Sequence, residues 1–171
     1  VKLNGKWGCI DKTGREVIPC KYGWFGYWCE GLAQVTLNHK YGYIDTTGRE
    51  VIPIKYDYVF SFSEGLAIVQ LNGKWGFIDE TSREVIPFKY DKVTDFKEGL
   101  AAVQLNGNWG YIDTTGREIC SYKYYYAGKF NDGFAPVCLG GKWGFIDKTG
   151  REICDCKYDC TWQCTEGFVR V

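Results

Sequence analysis

One feature of this sequence limits its possible folds more than any other: a 34-residue repeat that runs through the chain without insertion or deletion. An aromatic residue followed by glycine marks each copy, at Trp7, Tyr41, Trp75, Trp109 and Trp143. Units this short bury their apolar faces against their neighbours, so the chain predicts an array of modules. We place the units at 1–34, 35–68, 69–102, 103–136 and 137–170, as a single repeat domain. Val1 and Val171 share one phase and methionine is absent, so we expect this domain to belong to a longer chain.

Each unit predicts four short antiparallel strands, and residues 69–102 show them most clearly. Asn72-Gly73 is the common signal for a tight hairpin turn, because both residue types tolerate positive φ. Pro87 lacks an amide donor and therefore predicts an edge strand or a bulge. The strand-like segments, rich in β-branched and aromatic residues, are 69–71, 75–78, 85–90 and 93–96.

A second turn in each unit begins with aspartate, whose carboxylate can accept hydrogen bonds from the turn amides. Its members are Asp11, Asp45, Asp79, Asp113 and Asp147. Glycine holds the fourth position of this turn except at Ser82, so we expect that turn to be the most strained. The aspartate lies close enough to pair with the arginine that follows it, but exposed pairs contribute little. The recurring tyrosines, from Tyr22 to Tyr158, are expected to bury the ring and keep the hydroxyl hydrated or bonded.

Two all-β architectures suit these units. One is an open superhelical array of β-hairpin or meander repeats, and the other is a closed five-bladed propeller. Blades of the common propeller families have about 40–50 residues, so a 34-residue unit is small for a blade. We therefore favour the open array.

The phrase Asn-Gly-Lys-Trp-Gly-Phe-Ile-Asp, followed by Thr-x-Arg-Glu and Ile-Pro-x-Lys-Tyr-Asp, resembles the bacterial WG repeat, also called KWG. It is carried by 4–16, 72–84, 106–118 and 142–152, with Tyr41 in place of tryptophan in the second unit. The resemblance covers the whole chain and implies a bacterial β-repeat protein, in some cases on the cell surface. It implies no catalytic motif. Ser121 and Asp155 stand where the other units have proline, which leaves the edge geometry of the last two units open.

Composition and repetition narrow the function. Lys plus Arg and Asp plus Glu number 21 each, so no basic field would recruit nucleic acid. No run approaches the roughly 20 apolar residues of a membrane helix, so we expect no membrane insertion. Equal units offer no privileged cleft, and His39, the sole histidine, lies in a hairpin turn. We therefore expect a non-enzymatic scaffold without a cofactor, and an extracellular or cell-surface location is slightly favoured over the cytoplasm.

The most variable part of the unit suggests binding surfaces. Aromatic residues are enriched there in the outer units, at Trp24, Trp28, Tyr126 and Trp162. They predict either a protein-interaction surface, because aromatics are enriched in interface cores, or a carbohydrate-binding surface on which sugars stack. The atypical end units can also reflect a missing neighbour. The same ends lead us to expect end-to-end contacts with another copy, or with further repeats of the parent chain.

The nine cysteines replace mainly apolar residues of other units, which favours core packing. Disulfides and a metal or redox site remain alternatives. The candidate metal ligands are Cys154, Cys156, Cys160 and Cys164, although they lack the C-x2-C spacing of zinc knuckles. On a regular strand, Cys154 and Cys156 would share one face.

Overall fold

The computed structural model describes residues 1–29 and 31–160, which form strands and turns. The strands are β1 (Lys2–Leu3), β2 (Lys6–Ile10), β3 (Glu16–Tyr22), β4 (Trp24–Cys29), β5 (Leu32–Leu37), β6 (Lys40–Asp45), β7 (Glu50–Tyr56), β8 (Tyr58–Ser63), β9 (Leu66–Leu71), β10 (Lys74–Asp79), β11 (Glu84–Tyr90), β12 (Lys92–Val93), β13 (Leu100–Leu105), β14 (Asn108–Asp113), β15 (Glu118–Tyr124), β16 (Tyr126–Ala127), β17 (Phe134–Leu139), β18 (Lys142–Asp147) and β19 (Glu152–Tyr158). Within this part of the chain, no helix has the length and apolarity needed to cross a membrane.

The strands form five antiparallel meanders in chain order: the first sheet β1–β3, the second β4–β7, the third β8–β11, the fourth β12–β15 and the fifth β16–β19. The predicted all-β array of five repeats is confirmed. The unit boundaries that we placed at Val35 and its equivalents fall inside strands, because β5 spans Leu32–Leu37. Each complete sheet therefore draws its first strand from one sequence unit, its last two strands from the next, and its second strand from both.

The hairpin turns have the expected backbone. Asn72 and Gly73 have φ of 53° and 77°, so both central residues are left-handed, as a twist-matched two-residue turn requires. Ser82 has φ of 68° where the other aspartate-led turns have glycine, which agrees with the strain predicted there. The Ser82 hydroxyl donates to the Val51 carbonyl at 2.8 Å and thereby ties this turn to the preceding sheet.

The Trp-Gly pair lies in a strand, but its two residues have different environments. The glycine is buried, and a Cβ at Gly76 would lie 2.6 Å from the Ile86 carbonyl oxygen and 2.9 Å from the Phe88 amide nitrogen. The adjacent strand approaches this closely because its register shifts: Trp75 pairs with Tyr90 but Phe77 pairs with Ile86. Pro87 lies within this irregular stretch of β11, which is also an edge strand, as predicted.

The apolar core lies between the sheets. Between the first and second sheets, Ile18 and Tyr22 pack against Ala33, Val35 and Ile44. The next three interfaces repeat this arrangement and have their own buried clusters. We call the side that carries Ile18 and Tyr22 the forward face of a sheet, and the side that carries Val35 and Ile44 its back face. Each sheet thus depends on its neighbours for burial, as in other repeat proteins.

The described residues form an open array, because no strand pair or core cluster joins the first sheet to the fifth. Val1 and Ile10, on the back face of the first sheet, are 51% and 47% exposed, whereas their equivalents in the other sheets are fully buried. The favoured open arrangement agrees with this structure, and the propeller alternative would require these faces to meet.

The tyrosine prediction holds in part. The rings of Tyr22, Tyr56, Tyr90 and Tyr124 are buried. The Tyr124 hydroxyl donates to the Glu152 carboxylate at 3.1 Å, and burial raises the pKa of this phenol to about 12. The Tyr22 hydroxyl, however, is buried and has no hydrogen-bond partner in the described part of the chain, so the prediction is wrong for that residue. The repeat buries the ring in both cases, but only the Tyr124 environment supplies an acceptor.

Replacing Gly76 with alanine should lower the free energy of unfolding by about 1–3 kcal/mol, because the added methyl group meets rigid backbone. Gly23→Ala is the matched control: its new Cβ would lie 3.2 Å from the Thr36 side chain, which can move. Urea unfolding followed by tryptophan fluorescence measures both. Equal stability of the two variants would show that the close approach at Gly76 is unimportant.

Removing the Tyr22 hydroxyl should leave stability unchanged or raise it, because a buried unpaired hydroxyl costs about 1–3 kcal/mol. Removing the equivalent Tyr124 hydroxyl should destabilise the protein by about 1 kcal/mol, because a hydrogen bond is lost. Thermal unfolding of Tyr22→Phe and Tyr124→Phe compares them directly. A loss for Tyr22→Phe as large as that for Tyr124→Phe would contradict this expectation.

Candidate functional site

Half-exposed aromatic side chains line one rim of the array. We call this set the aromatic rim: Trp24, Tyr41, Tyr58, Phe60, Trp75 and Trp109, continued by Tyr126 and Trp143. The ring centroids of Tyr41 and Tyr58 lie 5.2 Å apart, and those of Tyr58 and Trp75 lie 6.3 Å apart, both in stacked geometry. Further along, the Tyr126 and Trp143 centroids lie 5.2 Å apart. The Tyr41–Tyr58 stack joins the second sheet to the third. The Tyr58–Trp75 and Tyr126–Trp143 contacts lie within the third and the fifth sheet respectively.

Strand pairing positions the rim. Tyr58 begins β8 and lies opposite Gln70, which in turn lies opposite Trp75 on β10. Trp24 and Tyr126 begin the equivalent strands of the second and fifth sheets. The Trp-Gly aromatic therefore shares a cross-strand row with the first residue of its sheet. Because the row belongs to paired strands, its side chains are held on a rigid support.

Two concave regions open along the aromatic rim. A cleft of about 390 Å³ between the third and fourth sheets is lined by Phe60, Trp75 and Trp109 together with Lys92, Asp95 and Lys129. A second region, of about 450 Å³, lies beside Trp24, Tyr41, Tyr58 and Phe60. Apolar ring surface with a few charged groups at its border is the usual make-up of a binding cleft.

Ion pairs brace the loops beside the aromatic rim. Lys40 Nζ lies 2.5 Å from a carboxylate oxygen of Asp57, and Lys74 Nζ lies 2.6 Å from Asp91. The Lys40 ammonium holds the pKa of Asp57 below its ordinary value of 3.8, mainly by donating a hydrogen bond. Lys142 and Asp159 repeat the pair in the fifth sheet. These pairs were not predicted from the sequence, although a lysine and an aspartate 17 residues apart recur in three units.

The predicted aromatic residues occupy different environments. Trp24 and Tyr126 hold equivalent positions on the aromatic rim and are 44% and 45% exposed. Trp28 does not join them: its ring packs edge-on against Phe25, with centroids 5.6 Å apart, and Phe25 belongs to the core between the first two sheets. A shift in strand register between Phe25 and Trp28 separates the two tryptophans of β4. Trp162 lies outside the described residues.

The aspartate-led turns have the predicted geometry. One carboxylate oxygen of Asp79 accepts from the Thr81 amide at 2.9 Å, the Thr81 hydroxyl at 2.6 Å and the Arg83 amide at 3.0 Å. The other turns repeat these bonds at Asp11, Asp45, Asp113 and Asp147. The threonine hydroxyl makes the largest contribution to holding the pKa of Asp79 below 3.8. These hydrogen bonds of the aspartate carboxylate are made within the turn itself, so we assign these residues a structural role.

The cysteines mostly fill apolar positions. Cys120 and Cys156 pack on the cluster between the fourth and fifth sheets, and burial raises the pKa of both thiols, which disfavours the reactive thiolate. The predicted shared face of Cys154 and Cys156 is wrong, because the register shift in β19 turns the residues at these two positions to opposite sides. The second sheet shows the same reversal: Ile52 packs forward and Ile54 backward.

The metal hypothesis has little support from this geometry. Within residues 1–29 and 31–160, no three His, Cys, Asp or Glu side chains are grouped to hold a metal ion. Cys160 is an exposed free thiol, and Cys164 lies outside the described residues. His39 lies exposed in a hairpin turn with φ of 62°, as its position predicted.

Comparison with protein families gives a match over most of the chain. The model of the WG containing repeat matches residues 7–41, 41–75, 75–109, 109–143 and 143–171. These stretches begin and end at the aromatic residue of the Trp-Gly pair. No curated protein matches the chain.

Several solved structures are similar to the chain. Hsv2 of Kluyveromyces lactis, with its complete loop 6CD, is 9% identical with a TM-score of 0.50, over 81% of this chain and 51% of that one. PorZ of Porphyromonas gingivalis, a bacterial surface component of the type-IX secretion system, is 12% identical with a TM-score of 0.38, over 87% and 24%. A protein of unknown function from Bacteroides caccae is 15% identical with a TM-score of 0.35, over 88% and 70%. The chain spans about half the length of the K. lactis protein, and the likeness concerns the fold alone.

The aspartate-led turns predict how stability changes in acid. Their folded-state pKa values are lowered, so their contribution is complete above pH 3.8 and is lost as pH falls through the lower, folded-state pKa. The melting temperature of the wild type, measured from neutral pH to pH 2, should therefore decrease once the pH is lower than about 4. Asp79→Asn should flatten part of that fall, and Asp155→Asn, outside these turns, is the control. Identical profiles for all three proteins would contradict the assignment.

Proposed function

Because the chain belongs to the family of WG-containing repeat proteins, we propose that it is a non-enzymatic scaffold that binds another protein along the aromatic rim. The observation that carries this proposal is that exposed rings of neighbouring sheets meet along the rim: Tyr41 stacks on Tyr58 of the next sheet, and Trp75 and Trp109 line one cleft between the third and fourth sheets. Interface cores are enriched in aromatic side chains, and binding energy concentrates in a few of them. The nearest-neighbour packing of the sheets supplies a stiff support.

The charge of the chain supports a short-range mode of binding. Acidic and basic residues are equal in number, and the rim lysines Lys40 and Lys74 are already paired with aspartates. Long-range electrostatic steering would therefore contribute little, and affinity would come mainly from buried ring surface. We expect binding that changes only slightly with salt concentration.

The aromatic rim also varies from sheet to sheet in a way that suits selective binding. The first residue of each complete sheet is Trp24, Tyr58, Lys92 and Tyr126 in turn, while the Trp-Gly aromatic beside it hardly changes. The nearly constant Trp-Gly aromatics would provide similar contacts on every sheet, while the variable first residues would fix which part of a partner lies on which sheet. A partner that extends over several sheets would use these differences cumulatively.

Carbohydrate binding is the second candidate, and the cleft between the third and fourth sheets favours it. Trp75 and Trp109 flank this cleft, and Lys92, Asp95 and Lys129 border it with hydrogen-bonding groups. Sugars bind where an aromatic ring and polar groups converge. In the stacked part of the aromatic rim, however, Tyr41, Tyr58 and Trp75 occupy one another's ring faces, which leaves mainly their edges for a partner.

The test uses peptides selected from a display library for binding to the full chain. Trp24→Ala and Trp75→Ala should each raise the Kd by about ten- to thirtyfold, as expected for loss of about 1.4–2 kcal/mol at an interface hot spot. Trp28→Ala is the matched control, because Trp28 is similarly exposed but lies off the aromatic rim. Isothermal titration calorimetry gives the Kd, and melting temperatures verify folding.

The same variants on a glycan array separate the two candidates. The carbohydrate candidate would be favoured if the wild type binds a glycan, Trp75→Ala or Trp109→Ala removes that binding, and the selection yields no binding peptide. Peptide binding that falls as much with Trp28→Ala as with Trp24→Ala would contradict a role for the rim. Failure to obtain any rim-dependent ligand, peptide or glycan, would contradict both candidates.

A further inference from the structure

A recurring ion pair beside the hairpin turns shows how this fold holds a carboxylate. One oxygen of Asp57 accepts from the Lys40 ammonium at 2.5 Å, and the other accepts from the Gly73 amide at 3.2 Å. Lys40 has the largest effect in holding the pKa of Asp57 below 3.8, and the amides of Gly73 and Asn72 act in the same direction. The carboxylate therefore lies between a lysine of the second sheet and the hairpin turn of the third.

The same arrangement recurs one sheet further along. Lys74 Nζ lies 2.6 Å from a carboxylate oxygen of Asp91. Lys74, together with the amides of Gly107 and Asn106 in the next hairpin turn, lowers the pKa of that carboxyl group. In both units the aspartate immediately precedes the first strand of its sheet. The repeat thus builds one set of donors, a lysine and two turn amides, around one acidic side chain.

Between the first and second sheets, the chain keeps these donors but not the aspartate. Gly23 stands at the aspartate position, while Lys6 keeps the lysine and Asn38-His39 keeps the hairpin turn. The backbone is the same: the Gly23 amide donates to the Thr36 carbonyl at 2.8 Å, as the amides of both aspartates donate to the equivalent carbonyls at 2.9 Å. Asn38 and His39 have φ of 51° and 62°, so the turn has the same left-handed form.

The donors that lack an aspartate border one open cavity. Lys6, Gly23, Asn38 and His39 line this cavity, which has a volume of about 620 Å³. We call it the Lys6 site. Within the described residues, Lys6 has no ion-pair partner, and the two turn amides have no hydrogen-bond acceptor. Asp57 also borders the cavity, but both of its oxygens already accept hydrogen bonds from the next set of donors.

The fourth unit shows that an absent aspartate does not by itself leave an unpaired cation. Tyr125 stands at the aspartate position there, and Asn108 stands at the lysine position, so both charges are replaced together. The first unit replaces the aspartate alone and retains the ammonium of Lys6. A lysine beside two free backbone amides is a set of donors suited to an anion.

We propose that the Lys6 site binds a carboxylate group of a ligand, in the position that the Asp57 carboxylate occupies in the next unit. One ligand oxygen would accept from the Lys6 ammonium and the other from the His39 amide. The Thr36 hydroxyl also lines the cavity and offers a further donor. An acidic side chain of another protein and an acidic sugar present the same group, so either could supply it.

The Lys6 site adjoins the aromatic rim, because Tyr41 and Tyr58 line the same cavity. The remainder of a bound ligand would lie against these rings, which would add apolar contact to the charged hydrogen bonds. A small carboxylate alone should bind weakly, since Lys6 is exposed to solvent. The site nevertheless stands whether or not the aromatic rim binds a partner, and its test needs no such partner.

NMR titration of the full chain tests the site with small probes at constant ionic strength. N-acetyl-aspartate N-methylamide should shift the amide resonances of Asn38 and His39 saturably, and its neutral asparagine counterpart should not. The Gly73 amide is an internal control, because Asp57 already occupies it. Lys6→Gln should raise the Kd of the acidic probe by about two- to fivefold, the range for one exposed ion pair.

Two reciprocal variants exchange the states of the two neighbouring units. Gly23→Asp supplies the carboxylate from the chain itself and should abolish the response of the His39 amide to the acidic probe. Gly23→Ala is the matched control and should keep that response. Asp57→Gly should open a second site, so that the Gly73 amide now shifts with the acidic probe. Amide spectra of each variant also verify that it is folded.

The outcomes separate the site from its alternatives. Equal shifts at His39 with the acidic and the neutral probe, or no shift with either, would overturn the proposal. A Gly23→Asp variant that still binds the acidic probe at the same amides would also overturn it, as would tighter binding of inorganic phosphate there. Glucuronate distinguishes the two sources: a lower Kd than that of the aspartate probe supports an acidic sugar, and a higher Kd supports an acidic side chain.

Discussion

The close approach of two strands at the buried glycine of each Trp-Gly pair is the constraint on which the rest of the structure depends. A side chain at Gly76 would meet the carbonyl of Ile86 and the amide of Phe88. The approach accompanies a shift in register that turns neighbouring side chains of the same strand to opposite sides. On β7, Ile52 faces the third sheet and Ile54 faces the first. One irregular strand thus contributes apolar residues to two interfaces.

That double contribution explains why the core lies between the sheets. A single sheet of short strands has two apolar faces and little interior of its own, so it is stable only when neighbours cover both. The buried clusters are therefore interface clusters, and each contains residues of two adjacent sheets. Cysteine is accepted at positions such as Cys120 and Cys156 because a compact apolar side chain suffices there. An end sheet necessarily leaves one such face without a partner from the array.

Recurrence along the chain reflects two separate physical demands. The buried tyrosines recur because every interface needs a large ring, and the turn aspartates recur because every turn needs an acceptor for its amides. The Trp-Gly aromatics recur equally strongly, yet they lie half exposed on the rim. Periodicity alone does not separate these classes, because it reports that a position matters in every unit without reporting which side of the sheet it occupies. Only the tertiary structure brings such rings together, as where Tyr41 of the second sheet stacks on Tyr58 of the third.

The sequence by itself determined the local structure of this protein: five all-β repeats, tight Asn-Gly hairpins, aspartate-led turns and a left-handed Ser82. These features depend on a few adjacent residues, so their signals are complete within one unit. The tertiary structure alone decided which residues share a surface. It placed Trp24 on the aromatic rim and Trp28 against Phe25, it separated Cys154 from Cys156, and it left the Tyr22 hydroxyl buried without an acceptor. In each case the register shifts and the packing of the next sheet decided the environment, and both depend on contacts between residues far apart in the chain.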